Sequence, residues 1–145
     1  MLEHERAAAR RRLRDIAGRL RDQAKQLVAE SDRACDTLRA ELAALEAEMR
    51  RLREPQYAAG TAAVAGHAER YGQELSERVT GLREALASET ERLAMRRRQL
   101  DSAARGAAGL QRLVDRSEGR AKRDQTRAEQ RSTDERNNWS SGRGD

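Results

Sequence analysis

A narrow stripe of apolar and small residues, spaced three or four positions apart, runs through most of this chain. In the first third of the chain its members are Leu13, Ile16, Leu20, Ala24, Leu27, Ser31, Cys35, Leu38, Leu42, Leu45, Met49 and Leu52. The mean spacing lies between the roughly 3.5 residues of a supercoiled seam and the roughly 3.6 of a straight helix. Such a stripe can bury against one partner helix while the remaining surface stays in water. The pattern predicts a helix over residues 5–53 that pairs with one other helix.

The only proline in the chain interrupts this pattern. Pro55 lacks a backbone amide donor, and its ring clashes with the preceding helical turn, so it ends a helix or begins one. Gly60 suits the left-handed residue that follows a helical turn, and Thr61 can cap the next helix. We therefore expect a turn over residues 54–60, about which two helices fold back on each other.

The stripe resumes after the turn, in a segment longer than the first. Its members are Val64, Ala68, Tyr71, Leu75, Val79, Leu82, Leu86, Leu93, Leu100, Ala103, Ala107, Leu110 and Val114. Two seven-residue steps pass over Glu89 and Arg96, and charged residues at seam positions commonly fix register or partner at a cost in stability. Beyond Val114 the stripe fades. We predict a second helix over residues 61–136 and a flexible, disordered tail over residues 137–145.

Together these elements predict an all-α fold: a long antiparallel two-helix coiled-coil hairpin, formed as a single domain by residues 1–136. The second helix is expected to be longer and to overhang the first. With the turn centred near residue 57, residue 13 should lie opposite a residue near 101, and residue 45 opposite one near 69. Disorder is the alternative that the low mean hydropathy allows. Domain-swapped or parallel dimers are alternatives to the closed hairpin.

The composition argues against a globular enzyme. Aromatic residues make up 2% of the chain and charged residues 38%, so large side chains that could fill a rounded core are scarce. The two histidines, His4 and His67, are far apart, and Cys35 is the single cysteine, which predicts neither a zinc site nor an internal disulfide. Phosphate-loop and nucleophile motifs are missing as well. We expect no catalytic activity, no cofactor and no bound metal.

Basic and acidic residues are intermixed along the chain, 30 of the first and 25 of the second, with a net charge of +5. Dense arginine clusters occupy residues 10–14 and 96–98, and a hairpin is expected to bring the two near each other. They could meet an acidic protein surface or a phosphate backbone. The scarcity of stacking aromatics and the interleaved acids argue against nucleic acid. No apolar run approaches the roughly 18 residues of a membrane span, so we expect a cytoplasmic protein without membrane insertion.

Nearly the whole chain resembles the central-stalk proteins of bacterial type III export, the flagellar FliJ and injectisome YscO/HrpO group. The resemblance rests on the size of the chain, on a coiled first helix that ends near Pro55, and on a Tyr-x-x-x-Leu stretch formed by Tyr71 and Leu75. It rests also on the leucine pair within residues 110–116, which is followed by mixed charges and an acidic pair within residues 127–135.

The resemblance implies a non-enzymatic stalk whose paired terminal region inserts into a hexameric secretion ATPase and whose opposite part reaches an export-gate protein. It also implies a place peripheral to the inner-membrane export apparatus, and in some members binding of export chaperones. The implied ATPase contacts are Arg10, Arg11, Arg12, Arg14, Arg97, Arg98, Arg105, Arg112 and Arg116. The implied gate or chaperone contacts are Tyr71, Leu75, Val79 and Leu82. Those four also lie on the stripe, so packing between the helices explains them equally well.

Trp139, the sole tryptophan, has no local sequence that could bury it and is a candidate anchor for a partner. Two other hypotheses compete with the stalk. The first is a homodimeric coiled-coil scaffold or chaperone. The second is a basic nucleic-acid-associated coiled coil, whose binding would weaken steeply with salt.

Overall fold

Two long helices make up the computed structural model, which describes residues 2–54 and 62–142. Helix α1 spans Leu2–Leu52 and helix α2 spans Ala62–Gly142. Acidic side chains in the first turn of α1 and basic side chains in its last turn complement the helix dipole. The prediction of an all-α hairpin with a longer second helix is confirmed, and the described residues contain no strand.

The helix ends differ from the predicted ones by a few residues. At the end of α1, the amides of Arg53 and Glu54 donate to the carbonyls three residues earlier, at 3.2 and 3.1 Å, which tightens the last turn. The rest of the predicted turn, residues 55–60, lies outside the described residues. At the other end of the chain, α2 continues past Arg136, where the sequence predicted its end, to Gly142.

Serine side chains in the last turns of α2 form hydrogen bonds within the helix. The hydroxyls of Ser140 and Ser141 donate to the carbonyls of Asn137 and Asn138, at 3.0 and 3.1 Å. Serine hydroxyls that bond to carbonyls three or four residues earlier are compatible with helical geometry. The helix therefore includes most of the segment predicted as a tail, and residues 143–145 lie outside the described residues.

The chain divides into two compact units. One comprises Asp22–Asp101, here called the central unit, and the other comprises Met1–Arg21 with Ser102–Asp145, here called the terminal unit. Among the described residues, the buried side chains of the central unit are Ser31, Cys35, Leu75, Val79 and Leu93, and those of the terminal unit are Ala107 and Val114. All seven belong to the predicted stripe, which confirms that the stripe contains the core of the hairpin.

A single heptad frame fits these buried positions. A step of four residues separates Ser31 from Cys35 and Leu75 from Val79, which places the first member of each pair at a d position and the second at an a position. Whole heptads then lead from Val79 to the other buried residues of α2. Beside this a/d seam run two flanks, one of e positions and one of g positions.

The frame corrects the predicted stripe near the start of α1. Leu13 and Leu20 fall at g positions and Ile16 at a c position, and all three are about half exposed, at 52%, 55% and 51%. The half-buried residues are instead the ones that directly follow these three in the sequence, such as Arg14 and Ala17. The predicted stripe repeats every eleven residues here, as on a straight helix, whereas the seam keeps the heptad repeat. The two patterns coincide at Ala24 and again from Ser31 onward, and they diverge at Leu27 and before Ala24.

The pairing register also differs from the prediction. Residue 45 was expected opposite a residue near 69, but the neighbouring Glu46 pairs with Arg83. The first ten residues of α2, 62–71, are mostly exposed, and Leu75 is the first buried residue of that helix. In the central unit, the segment of α2 that packs on α1 therefore begins later than a symmetric turn would place it.

Candidate functional site

A set of ion pairs joins the two helices along the e flank. Arg11 Nε lies 3.2 Å from Glu118 Oε1, in the terminal unit. In the central unit, Arg97 Nη2 lies 3.2 Å from Asp32 Oδ1, and Arg83 Nη2 lies 2.9 Å from Glu46 Oε1. These side chains are about 37–63% exposed, so each pair is expected to contribute at most about 1 kcal/mol. Their regular placement nonetheless favours one register over its neighbours.

A buried polar contact lies next to the Arg97–Asp32 ion pair of the central unit. Ser31 is fully buried and is the only polar side chain in the core of the described residues. Arg96, at a d position of α2, donates from Nη1 to Ser31 Oγ at 2.7 Å and to the carbonyl oxygen of Leu27 at 3.0 Å. A charged donor makes this a strong hydrogen bond, and the burial of its acceptor makes a wrong register costly. The sequence predicted that Arg96 interrupts the stripe, and the structure shows what it contacts.

The terminal unit contains the same arrangement with the two helices exchanged. Arg10 Nη1 donates to Ser117 Oγ at 2.8 Å, beside the ion pair of Arg11 with Glu118. In each unit, two consecutive arginines on one helix meet a serine and an acidic residue, also consecutive, on the other. We call each such set an arginine–serine lock. The sequence shows both halves of each lock, but only the register shows that they face each other.

The locks change the interpretation of the arginine candidates. Arg10, Arg11 and Arg97 contact the other helix of their own unit, and Arg14 Nε lies 3.2 Å from the adjacent Asp15 Oδ1. The remaining candidates make no hydrogen bond or ion pair with the rest of the described chain: Arg12, Arg98, Arg105, Arg112 and Arg116. The two clusters belong to different units, and each makes contacts within its own unit.

The gate or chaperone candidates divide in the same way. Leu75 and Val79 are 0% and 4% exposed and belong to the core, so their surfaces are occupied by packing. Leu82 is half-buried and lines a shallow groove between the helices, beside Ala44 and Gly81. Gly81 has open space where a Cβ would stand, which leaves the groove accessible from the solvent. Of the four candidates, Leu82 and Tyr71 therefore have side-chain surface that a partner protein can contact.

Tyr71 is 38% exposed, and its hydroxyl donates to Glu48 Oε1 on the facing g flank. This hydrogen bond raises the pKa of Tyr71 above its ordinary value, and desolvation and the Glu48 charge raise it further, because each disfavours the phenolate. Tyr71 thus joins the helices through its hydroxyl while one part of its ring remains exposed.

Trp139 lies in the last turns of α2 and is 71% exposed. It lines a shallow surface depression together with Glu135, Arg136 and Ser140. All of residues 121–142 are exposed, so beyond Val114, the last buried residue of the described chain, α2 continues without burying another side chain.

Residues 2–54 and 62–142 contain no cluster of three or more histidine, cysteine or acidic side chains that could hold a metal ion. Neither described helix has a stretch apolar and long enough to cross a membrane. Cys35 is fully buried in the seam, as expected of a small core residue.

Comparison with known proteins gives a match to a protein family. The model of the family described as "Flagellar FliJ protein" matches residues 11–144, which is most of the chain. No curated protein and no solved structure matches.

Proposed function

Because the chain belongs to the flagellar FliJ protein family and is thereby a component of flagellar type III export, we propose that it is the non-enzymatic central stalk of that apparatus. In this role the terminal unit inserts into the hexameric export ATPase. The central unit contacts the export-gate protein, at the cytoplasmic side of the membrane. Export chaperones are further candidate partners for the exposed surface of the central unit.

The observation that carries this proposal is the contrast between the two parts of α2. Up to Val114 the helix has buried seam residues, whereas residues 121–142 are exposed throughout. A charged helix that buries little is marginal in water, so a long exposed helix indicates a surface that another protein covers. Family membership supports the export ATPase as that protein.

The two-helix fold supports a mechanical role. The locks and ion pairs tie the helices together in both units, which resists sliding of one helix along the other. A terminal unit of two helices inside a ring of six subunits touches them unequally and can bias which nucleotide sites are occupied. Stiffness and surface charge are what such a role requires.

The test uses the purified full chain and its cognate flagellar export ATPase. We expect the chain to raise the rate of ATP hydrolysis and the fraction of hexamer, measured by phosphate release and by light scattering. A matched control is the chain without residues 121–145, which keeps both locks and every buried residue of the described chain and should lose much of this effect. Unchanged hydrolysis and assembly with the full chain would refute the stalk proposal.

The gate contact has its own test. Tyr71→Ala removes an exposed ring and one hydrogen bond, and Leu82→Ala opens the groove, whereas Arg33→Ala alters an exposed position elsewhere on the central unit. We expect the first two variants, and not the third, to weaken binding to the cytoplasmic domain of the gate protein. Equal binding by all three variants would remove these residues from the proposed interface.

A further inference from the structure

The terminal unit carries apolar side chains that the hairpin leaves exposed. Leu13, Ile16 and Leu20 of α1 are 52%, 51% and 55% exposed, and Leu113 of α2 is 50% exposed. We call these four residues the apolar face. Single exposed leucines are common on protein surfaces, but a group on one side of a structure marks an interaction site.

The heptad frame places the four residues on one side of the terminal unit. Leu13, Leu20 and Leu113 occupy g positions, and Ile16 occupies a c position beside them. In an antiparallel coiled coil the g positions of the two helices flank the same side of the seam, as Tyr71 and Glu48 do in the central unit. The Arg11–Glu118 ion pair lies on the other side, along the e flank.

Charge is divided between the same two sides. Of the acidic residues in 5–21 and 102–120, Glu5 occupies an f position eight residues before Leu13, and the other three, Asp15, Asp115 and Glu118, occupy b and e positions. Each of these three already has a partner: Asp15 pairs with Arg14, Asp115 accepts from Gln111, and Glu118 pairs with Arg11. The apolar face is instead bordered at c, f and g positions by arginines that make no hydrogen bond or ion pair within the described chain: Arg6, Arg12, Arg19, Arg105, Arg112, Arg116 and Arg120.

We propose that this apolar face is part of the surface by which the stalk binds the ATPase, and that it receives an amphipathic helix whose apolar side is rimmed by aspartate or glutamate. The inference rests on the proposed stalk function and specifies which side of the terminal unit makes the contact. An acidic rim would neutralise the bordering arginines while leucine and isoleucine leave water. A second copy of the same face would bring arginines against arginines, which disfavours self-association.

The inference separates two groups of arginines that look alike in the sequence. Arg10 and Arg11 hold the helices together on the e side, whereas Arg12 and Arg19 border the apolar face and are available to a partner. Contact is therefore one-sided, and the e flank faces away from the helix that is bound.

The experiment compares matched variants of the full chain by their affinity for the cognate export ATPase. Leu13→Gln combined with Leu20→Gln removes half of the apolar face while keeping good helix formers at half-exposed positions. Met95→Gln is the control, because Met95 is 50% exposed but lies on α2 in the central unit. Arg12→Glu combined with Arg19→Glu tests the acidic rim. Circular dichroism checks that each variant keeps its helix content.

We expect the double glutamine variant and the double glutamate variant each to bind at least about tenfold more weakly, with Met95→Gln within about twofold of the unchanged chain. If the unchanged chain binds and all variants bind equally well, the apolar face is not the contact, while the stalk function stands. If the unchanged chain does not bind the ATPase, both proposals fall. If the glutamine substitutions abolish self-association and leave ATPase binding intact, a second copy occupies the face and the inference is wrong.

Discussion

The arginine–serine lock of the central unit can be tested by a double-mutant cycle. Arg96→Met keeps an unbranched stem in the seam but removes the guanidinium, and leaves Ser31, which is fully buried, without its donor. A hydrogen bond to a charged group contributes about 1.5–3 kcal/mol, and a buried unsatisfied group costs about 1–3 kcal/mol. Ser31→Ala removes the acceptor instead. In the double variant both the donor and the acceptor are gone, so no buried polar group is left unpaired. Its loss of stability should therefore be smaller than the sum of the losses in the two single variants.

We expect a coupling free energy of about 1–3 kcal/mol from denaturant unfolding of the four proteins, followed by helical circular dichroism. The matched comparison is Arg97→Met with Asp32→Ala, an ion pair one residue away whose side chains are 60% and 47% exposed. Its coupling should be about 0.2–1 kcal/mol and should shrink as salt is added, whereas the buried lock should be less sensitive. Additive single effects at Arg96 and Ser31, within about 0.5 kcal/mol, would refute the claim that this contact selects the register.

Three further outcomes follow from the structure. Gly106→Ala and Gly109→Ala should each stabilise the chain by about 0.5–1 kcal/mol in thermal unfolding, because both lie within α2 and have open space where a Cβ would stand; a loss of stability would mean that another surface approaches them. Removal of residues 121–145 should leave the denaturation midpoint nearly unchanged, since none of residues 121–142 is buried, and a clear decrease would show an undetected contact. Ultraviolet titration, in a chain whose other tyrosine is replaced by phenylalanine, should show a raised pKa for Tyr71 that falls when Glu48 becomes Gln. Because the folded pKa is raised, the stability from this bond is fully present below the unfolded pKa and is lost as pH rises through the folded value; an unchanged titration in the Glu48 variant would refute this.

The stripe predicted the core well because burial in a two-helix fold depends mainly on the period of apolar residues. Each of the seven buried residues in the described part of the chain lies on it, including the polar Ser31. The departure near Leu13 and Leu20 has a physical origin, since an eleven-residue repeat and a heptad repeat share some positions and then separate. Over a short segment the sequence does not tell which repeat the partner helix follows.

The register could not be predicted from the stripe, because sliding one helix by a heptad again places apolar residues against apolar residues. A turn centred near residue 57 predicts that residue 45 lies opposite a residue near 69. In the structure the neighbouring Glu46 pairs instead with Arg83. Only polar contacts distinguish such alternatives, and Arg96 is informative for that reason. Its disruption of the stripe is visible in the sequence, but its acceptor, Ser31, is there only one of several small residues of the stripe.

The candidate surfaces were predicted in part. Arginine clusters are conspicuous in a sequence, but whether an arginine serves the fold or a partner depends on the neighbour it meets across the seam. Arg11 and Arg12 are adjacent in the chain, and only the first has an acidic neighbour on the other helix. For the same reason Leu75 and Val79 could not be distinguished from exposed contact residues before their burial was known.

The e-flank pairs of the central unit have a consequence for how such chains can vary in length. Asp32 and Glu46 are two heptads apart on α1, and their partners Arg97 and Arg83 are two heptads apart on α2. A deletion or insertion between the two acids would mismatch one pair unless an equal change occurred between the two arginines. Homologues that lose or gain a heptad in this stretch should therefore do so in α1 and α2 together. A change of length in only one of the helices should be accompanied by new residues that form the ion pairs.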